Sequence, residues 1–145
     1  MIPINVVELY EYADCRGYDV YWYTFDTNQV SSISLPLADG SCAIALDPGQ
    51  FSSLADEKHK LAHELGHCET GSFYCRRTPF DERGRHERRA ERWAIRKLLP
   101  FDDLNKAVVQ GIREAWELAE YFELPEALIL EAVEYYTGPC GFSFA

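Results

Sequence analysis

Two histidines four residues apart, with a glutamate beside the first, constrain this chain more than any other stretch. The motif is His63-Glu64-Leu65-Gly66-His67. On an α-helix, residues four apart lie about 40° from each other around the axis and about 6 Å apart along it. His63 and His67 can then aim both imidazoles at one point beside the helix, a separation that suits tetrahedral Zn²⁺. Glu64 projects at the rim of the same face, where it can take a proton from an activated water without binding the metal itself. The flanks also read as helix. Ser52 or Ser53 offers an N-cap, and Asp56 stands three residues after Ser53 as in a capping box. Leu54, Leu61, Ala62 and Leu65 supply apolar positions at helical spacing. Gly66 is a poor helix former, about 1 kcal/mol worse than Ala, and makes sense where something packs close against that turn. The bare motif also arises by chance, so alone it leaves open a helix with two histidines and no metal.

A catalytic zinc site needs a third ligand and an open fourth position. Downstream, Ala90, Trp93, Ala94, Ile95 and Leu98 mark one face of a second helix over 86–99, closed by Pro100. Glu87 and Glu91 are one turn apart on it. With Glu87 as ligand and Glu91 accepting a hydrogen bond from a ligand histidine, the set is His₂Glu. Glu91 is the alternative ligand. Two glutamates on a charged helix more often form a solvated face; the preceding His-Glu motif shifts the balance towards a site.

His63, Glu64 and His67, followed by Glu87, Ala90, Glu91, Trp93, Ala94, Leu98 and Pro100, resemble the ImmA/IrrE family of metallopeptidases. The resemblance covers the middle third of the chain. It implies a zincin-like fold, one Zn²⁺ per chain and cleavage of a repressor protein, typically a helix-turn-helix repressor of a mobile element or stress response. Two positions depart from the family pattern, which usually has Asn or Asp where Glu91 stands and Phe where Trp93 stands.

The chain has 145 residues, one domain by length, and is 47% hydrophobic, which suits a folded globule. No apolar run approaches the length of a membrane span, and the first residues lack a basic signal-peptide start. Five cysteines, odd in number and irregularly spaced, argue for a reducing cytoplasm over a disulfide framework. Residues 4–14 read as a helix ending near Gly17. Residues 18–25, 30–35 and 41–46 read as three strands, the last two joined through Pro36 and the turn pair Asp39-Gly40. Of these, Ala43-Ile44-Ala45-Leu46 is the candidate edge for an extended peptide substrate, although an internal strand fits the sequence equally well.

Between the two helices, Thr70 to Arg85 is broken by Gly71, Pro79 and Gly84. A metzincin pattern fails here, because Thr70 occupies its glycine position and Phe73 its third histidine. A structural zinc on His63, His67, Cys68 and Cys75 fits poorly, since adjacent helical residues point about 100° apart. Tyr74 is a candidate donor to a developing oxyanion, with packing as its plainer role.

Residues 76–97 hold nine of the fourteen basic residues against four acids, while the whole chain carries −10. Such a patch could grip nucleic acid or an acidic protein, but in so acidic a chain internal pairing is the expected use. Residues 101–137 have a helix-turn-helix cadence, yet carry nine acids and only Lys106 and Arg113 as bases. A phosphate-reading element needs the opposite balance. That segment is expected to pack Trp116, Phe122, Leu128 and Val133 behind the site or to dock a partner. The sequence thus predicts a single α+β zincin-like domain over 1–145: an N-terminal helix and three-stranded sheet, the motif helix, a glutamate-bearing helix and C-terminal helices. Its expected activity is a cytoplasmic zinc endopeptidase acting on a protein substrate, with His63, His67 and Glu87 on the metal and Glu64 as general base. The alternatives are a zinc-binding regulator that docks to a repressor without cutting it, and a nucleic-acid module built on 76–97.

Overall fold

The computed structural model describes residues 3–75 and 77–145, so Met1, Ile2 and Arg76 of the basic stretch lie outside it. Asn5 opens α1 (Val6–Cys15) by a reciprocal capping box with Glu8, and Gly17 ends it at φ 77°. The strands are β1 (Asp19–Trp22), β2 (Ser32–Pro36) and β3 (Cys42–Leu46). Five helices follow: α2 (Leu54–Thr70), α3 (Phe80–Leu98), α4 (Phe101–Val109), α5 (Ala115–Phe122) and α6 (Glu126–Thr137). The architecture is α+β, with six helices and one small mixed sheet among the described residues.

The strand order is β1-β3-β2, with β1 parallel and β2 antiparallel to β3. This corrects the choice of edge. Ala43–Leu46 is hydrogen-bonded on both sides, and the outer edge of the hairpin belongs to β2. The chain crosses from β1 to the far side before turning back, so β3 falls in the middle, a non-local event that strand-by-strand reading does not reveal. The alternation of β3 fits this position: Cys42, Ile44 and Leu46 are buried.

Helix α2 runs through the centre. Ser53 accepts the Asp56 N–H at 3.0 Å, and the Asp56 carboxylate accepts the Ser52 N–H at 3.0 Å. Leu61 and Leu65 enter the core with Leu9, Ile44 and Leu98. Lys58 is buried and donates to the Phe122 carbonyl at 2.7 Å, tying α2 to the end of α5; burial lowers its pKa. At the other end, Glu69 receives Arg16 at 2.8 Å and the Tyr18 hydroxyl at 3.1 Å.

Several sequence expectations change here. Helix α3 starts at Phe80, six residues before the expected start, and runs through Gly84. A single glycine costs only about 1 kcal/mol, and Asp81 and Glu82 favour the first turn against the helix dipole. Cys42 and Cys68 form a disulfide with Cα atoms 5.8 Å apart, while Cys15, Cys75 and Cys140 are free. The start of β3 lies against the last turn of α2, a proximity that cysteine spacing cannot disclose, and the bond also removes Cys68 from any metal set. The helix–turn–helix cadence of α5 and α6 is present, with Glu123 at φ 56° in the turn. Phe122 and Leu128 are buried and Val133 is partly buried, but Trp116 is 55% exposed. Leu118 and Phe122, four apart, form the inward face of α5, and Trp116 lies about 200° from Leu118 around it. Finally, Arg85, Arg88, Arg89, Arg92 and Arg96 form no salt bridge among the described residues, contrary to the expected internal pairing. Arg92 instead lies 5.1 Å over the Tyr135 ring, and Arg96 donates to the Tyr135 hydroxyl.

Candidate metal centre and cleft

Gly66 explains how two helices come close enough to share a site. A Cβ built on it would lie 2.3 Å from the Ala90 carbonyl oxygen, so α3 touches the bare backbone of α2 there. Within one turn of this contact on each helix stand the site residues. His63 Nε2 is 2.8 Å from Glu87 Oε2, and His67 Nε2 is 3.1 Å from Glu87 Oε1. The donor atoms of His63, His67 and Glu87 all lie within 4.8 Å of one another.

The outer nitrogens are anchored. His63 Nδ1 faces Glu91 Oε1 at 3.1 Å, and His67 Nδ1 donates to the Ser72 carbonyl. With both Nδ1–H groups engaged by acceptors, each neutral ring would turn its Nε2 lone pair inward, the tautomer a metal requires. Glu91 also holds His59 Nε2 at 2.9 Å. The structure therefore separates the two glutamates: Glu87 meets both inward nitrogens, and Glu91 lies behind His63. Gly71, at φ 66°, ends α2 and lets Ser72 turn back under His67.

The charges show what the cluster favours. Burial works against a cation at His63, yet its hydrogen bonds to Glu87 and Glu91 raise its pKa from 6.5 to about 10. Burial by itself would raise Glu87, but the bonds from His63 and His67 hold its carboxyl well below the usual range. Glu91 is lowered likewise: the bonds from His59 and His63 outweigh the opposite effect of burial. The cluster thus favours a positive charge at its centre, a role open to a proton or a metal cation. The donor set and its electrostatics fit a divalent metal cation.

Glu64 is 6% exposed and accepts a hydrogen bond from the Ser32 hydroxyl at 2.8 Å. It opens on a cleft of about 490 Å³ whose walls are β2 with the preceding segment on one side and Phe73, Tyr74 and Glu87 on the other. Tyr74 lies at its rim, its pKa pushed up to about 12 by burial and then by a hydrogen bond to Glu87. Across the family models, the IrrE N-terminal-like domain, Peptidase M78, matches residues 44–134. The chain belongs to that family. No curated protein and no solved structure gives a significant match.

For this M78 domain, the family supports the coarse reading of a metallopeptidase-type protein or an IrrE-like regulator, with a His/His/Glu group able to bind metal. Among the described residues, no helix is long and apolar enough to cross a membrane. Of the six site residues read from the sequence, His63, Glu64, His67, Tyr74 and Glu87 line the cleft, and Glu91 lies behind His63. Ser32, His59 and Ser72 are additions. His59 had a signal, since it precedes His63 by the same four-residue step that separates His63 from His67. Ser32 and Ser72 had none, because a serine is informative only once its neighbour is known.

Proposed function

We propose that this protein is a zinc-dependent endopeptidase that cuts a regulatory protein, in the manner expected of a helix-turn-helix repressor substrate, in the cytoplasm. His63, His67 and Glu87 would hold the metal, and Glu91 would fix the ring of His63. When bound, zinc would polarise the scissile carbonyl and lower the pKa of a water towards neutrality. Glu64 accepts the proton of the attacking water and returns it to the departing amine. Tyr74, beside Glu87 at the rim, donates to the developing oxyanion. An extended substrate segment adds to the free edge of β2, with Val30, Ile33 and Leu35 offering apolar contact along the cleft. The direct nucleic-acid reading is disfavoured by the acids of α4 to α6.

One observation supports this reading most: a buried carboxylate, Glu64, lies between a compact His/His/Glu donor set and the exposed edge of a strand. A regulator that only docks has no use for that arrangement. The test is incubation of zinc-loaded wild type and Glu64→Gln with candidate repressors. Glu64→Gln should retain one zinc per chain and lose at least about 100-fold in cleavage rate. Equal cleavage by both would reject the mechanism, and full regulatory activity in the variant would favour the docking regulator.

A further inference from the structure

Glu64 has two carboxylate oxygens, and only one of them is held. Oε2 accepts from the Ser32 hydroxyl at 2.8 Å, and Oε1 has no protein partner among the described residues. The hydroxyl is mounted rigidly. Ser32 is the first residue of β2 and pairs with Leu46 of the central strand. Just before it, the Ser31 carbonyl accepts the Asp47 N–H at 2.9 Å. The Asp47 carboxylate in turn takes the Phe25 and Gly49 N–H groups at 3.1 Å each and the Gln50 amide at 2.8 Å. Ser32 therefore stands at a braced corner of the sheet, while its own strand lines the cleft.

We infer that Ser32 is a positioning residue for Glu64: it pins Oε2 so that Oε1 faces the cleft as the proton acceptor. The inference rests on the peptidase reading above. A carboxylate free to rotate about its last torsion samples a broad, two-fold range; a strong O–H···O⁻ bond removes that freedom. The reaction then balances without further reagents. The water oxygen bonds to the carbonyl carbon, its proton moves to Oε1, the C–N bond breaks, and the proton leaves on the amine. A second consequence follows from where Ser32 sits. The strand that would pair with substrate also carries the group that aims the base, so a peptide that stiffens β2 on binding stiffens Glu64 with it.

The test uses Ser32→Ala and Ser32→Thr in the full chain, with a mixed-sequence library of internally quenched peptides as probe. Threonine keeps the hydroxyl and suits a strand. Zinc content should be unchanged in both. In Ser32→Ala, kcat should fall about 10- to 100-fold, part of the roughly 10²- to 10⁴-fold that a positioned base supplies, with KM within about twofold. Ser32→Thr should recover kcat to within about threefold of wild type. A second arm needs neither metal nor turnover: in metal-free, ¹³C-glutamate-labelled protein, the Glu64 carboxylate resonance should move in Ser32→Ala and stay in Ser32→Thr. Unchanged kcat in Ser32→Ala, a change confined to KM, or equal losses in both variants would overturn the inference. If zinc-loaded wild type cleaves neither the library nor the candidate repressors, the peptidase reading falls with the catalytic role, and a Glu64 resonance unmoved in Ser32→Ala would further show that Ser32 does not hold Glu64 at all.

Discussion

The pair of helices α2 and α3 has a front and a back, and both are rich in ionisable groups. On the front, His63, His67, Glu64 and Glu87 converge on a cleft of about 490 Å³ walled by β2. On the back, Arg88, Arg92, Glu131 and Glu134 border a smaller groove of about 190 Å³ against α6. The difference lies in convergence. Front groups bond one another and share a centre, whereas the arginines and glutamates of the back form no salt bridge among the described residues, and burial and the neighbouring Glu91 raise Glu131 to about 7. Glu91 stands between the two, its carboxylate on His59 and His63. Charge density alone therefore does not mark a site; donors aimed at one point do.

The sharpest way to break this contrast is to delete one carboxylate from each region. Glu87→Ala should lower zinc affinity by more than about 100-fold, Glu91→Ala by about 10- to 100-fold, and Glu134→Ala by less than about threefold. Competition titration with a chelator reads all three; comparable losses at Glu87 and Glu134 would erase the distinction. Next in size, Cys42→Ser should destabilise the protein by about 3 kcal/mol through its 26-residue loop. Urea melts check it, and thiol titration of the unreduced, denatured wild type should find the three free cysteines. Gly66→Ala gains about 1 kcal/mol of helix propensity but should still cost about 2 kcal/mol net, because the new Cβ meets the Ala90 backbone. The same variant should lose metal affinity, since the front depends on the approach that the methyl blocks.

A smaller effect concerns pH. In metal-free protein the His63 pKa is raised from 6.5 to about 10. Its contribution to stability is then fully present below pH 6.5 and fades as pH rises through 10. Saturating zinc should remove that slope, because the bound form needs His63 neutral at every pH. Denaturation from about pH 6 to about pH 10, with and without metal, checks the sign. Smallest of all, Arg89→Ala on the exposed face of α3 should shift stability by no more than about 0.5 kcal/mol.

The centre of the molecule was legible because its information is local. Helical spacing alone places His63 and His67 together, and Gly66 announced a close neighbour before Ala90 could be named. The family pattern through Glu87 and Trp93 carried the second helix. What stayed hidden depends on chain crossings. Which strand forms the edge, the Cys42–Cys68 bond and the Ser32–Glu64 contact all join segments that no local pattern relates. Trp116 misled for another reason: a large aromatic is a strong burial signal, but on a helix as short as α5 the Leu118–Phe122 face leaves it outside.

The contact between Gly66 and Ala90 has a consequence for how this protein can vary. Backbone pressed on backbone has no rotamers, so the distance between the two ligand-bearing helices is set by atoms every residue possesses and cannot be adjusted by repacking side chains. Tolerance should therefore be uneven. In a library of random substitutions selected for retained metal, the leucines around the contact should interchange with other apolar residues of similar volume, while position 66 should return glycine almost alone and position 90 only the smallest side chains. The site would then keep its dimensions while the core around it drifts.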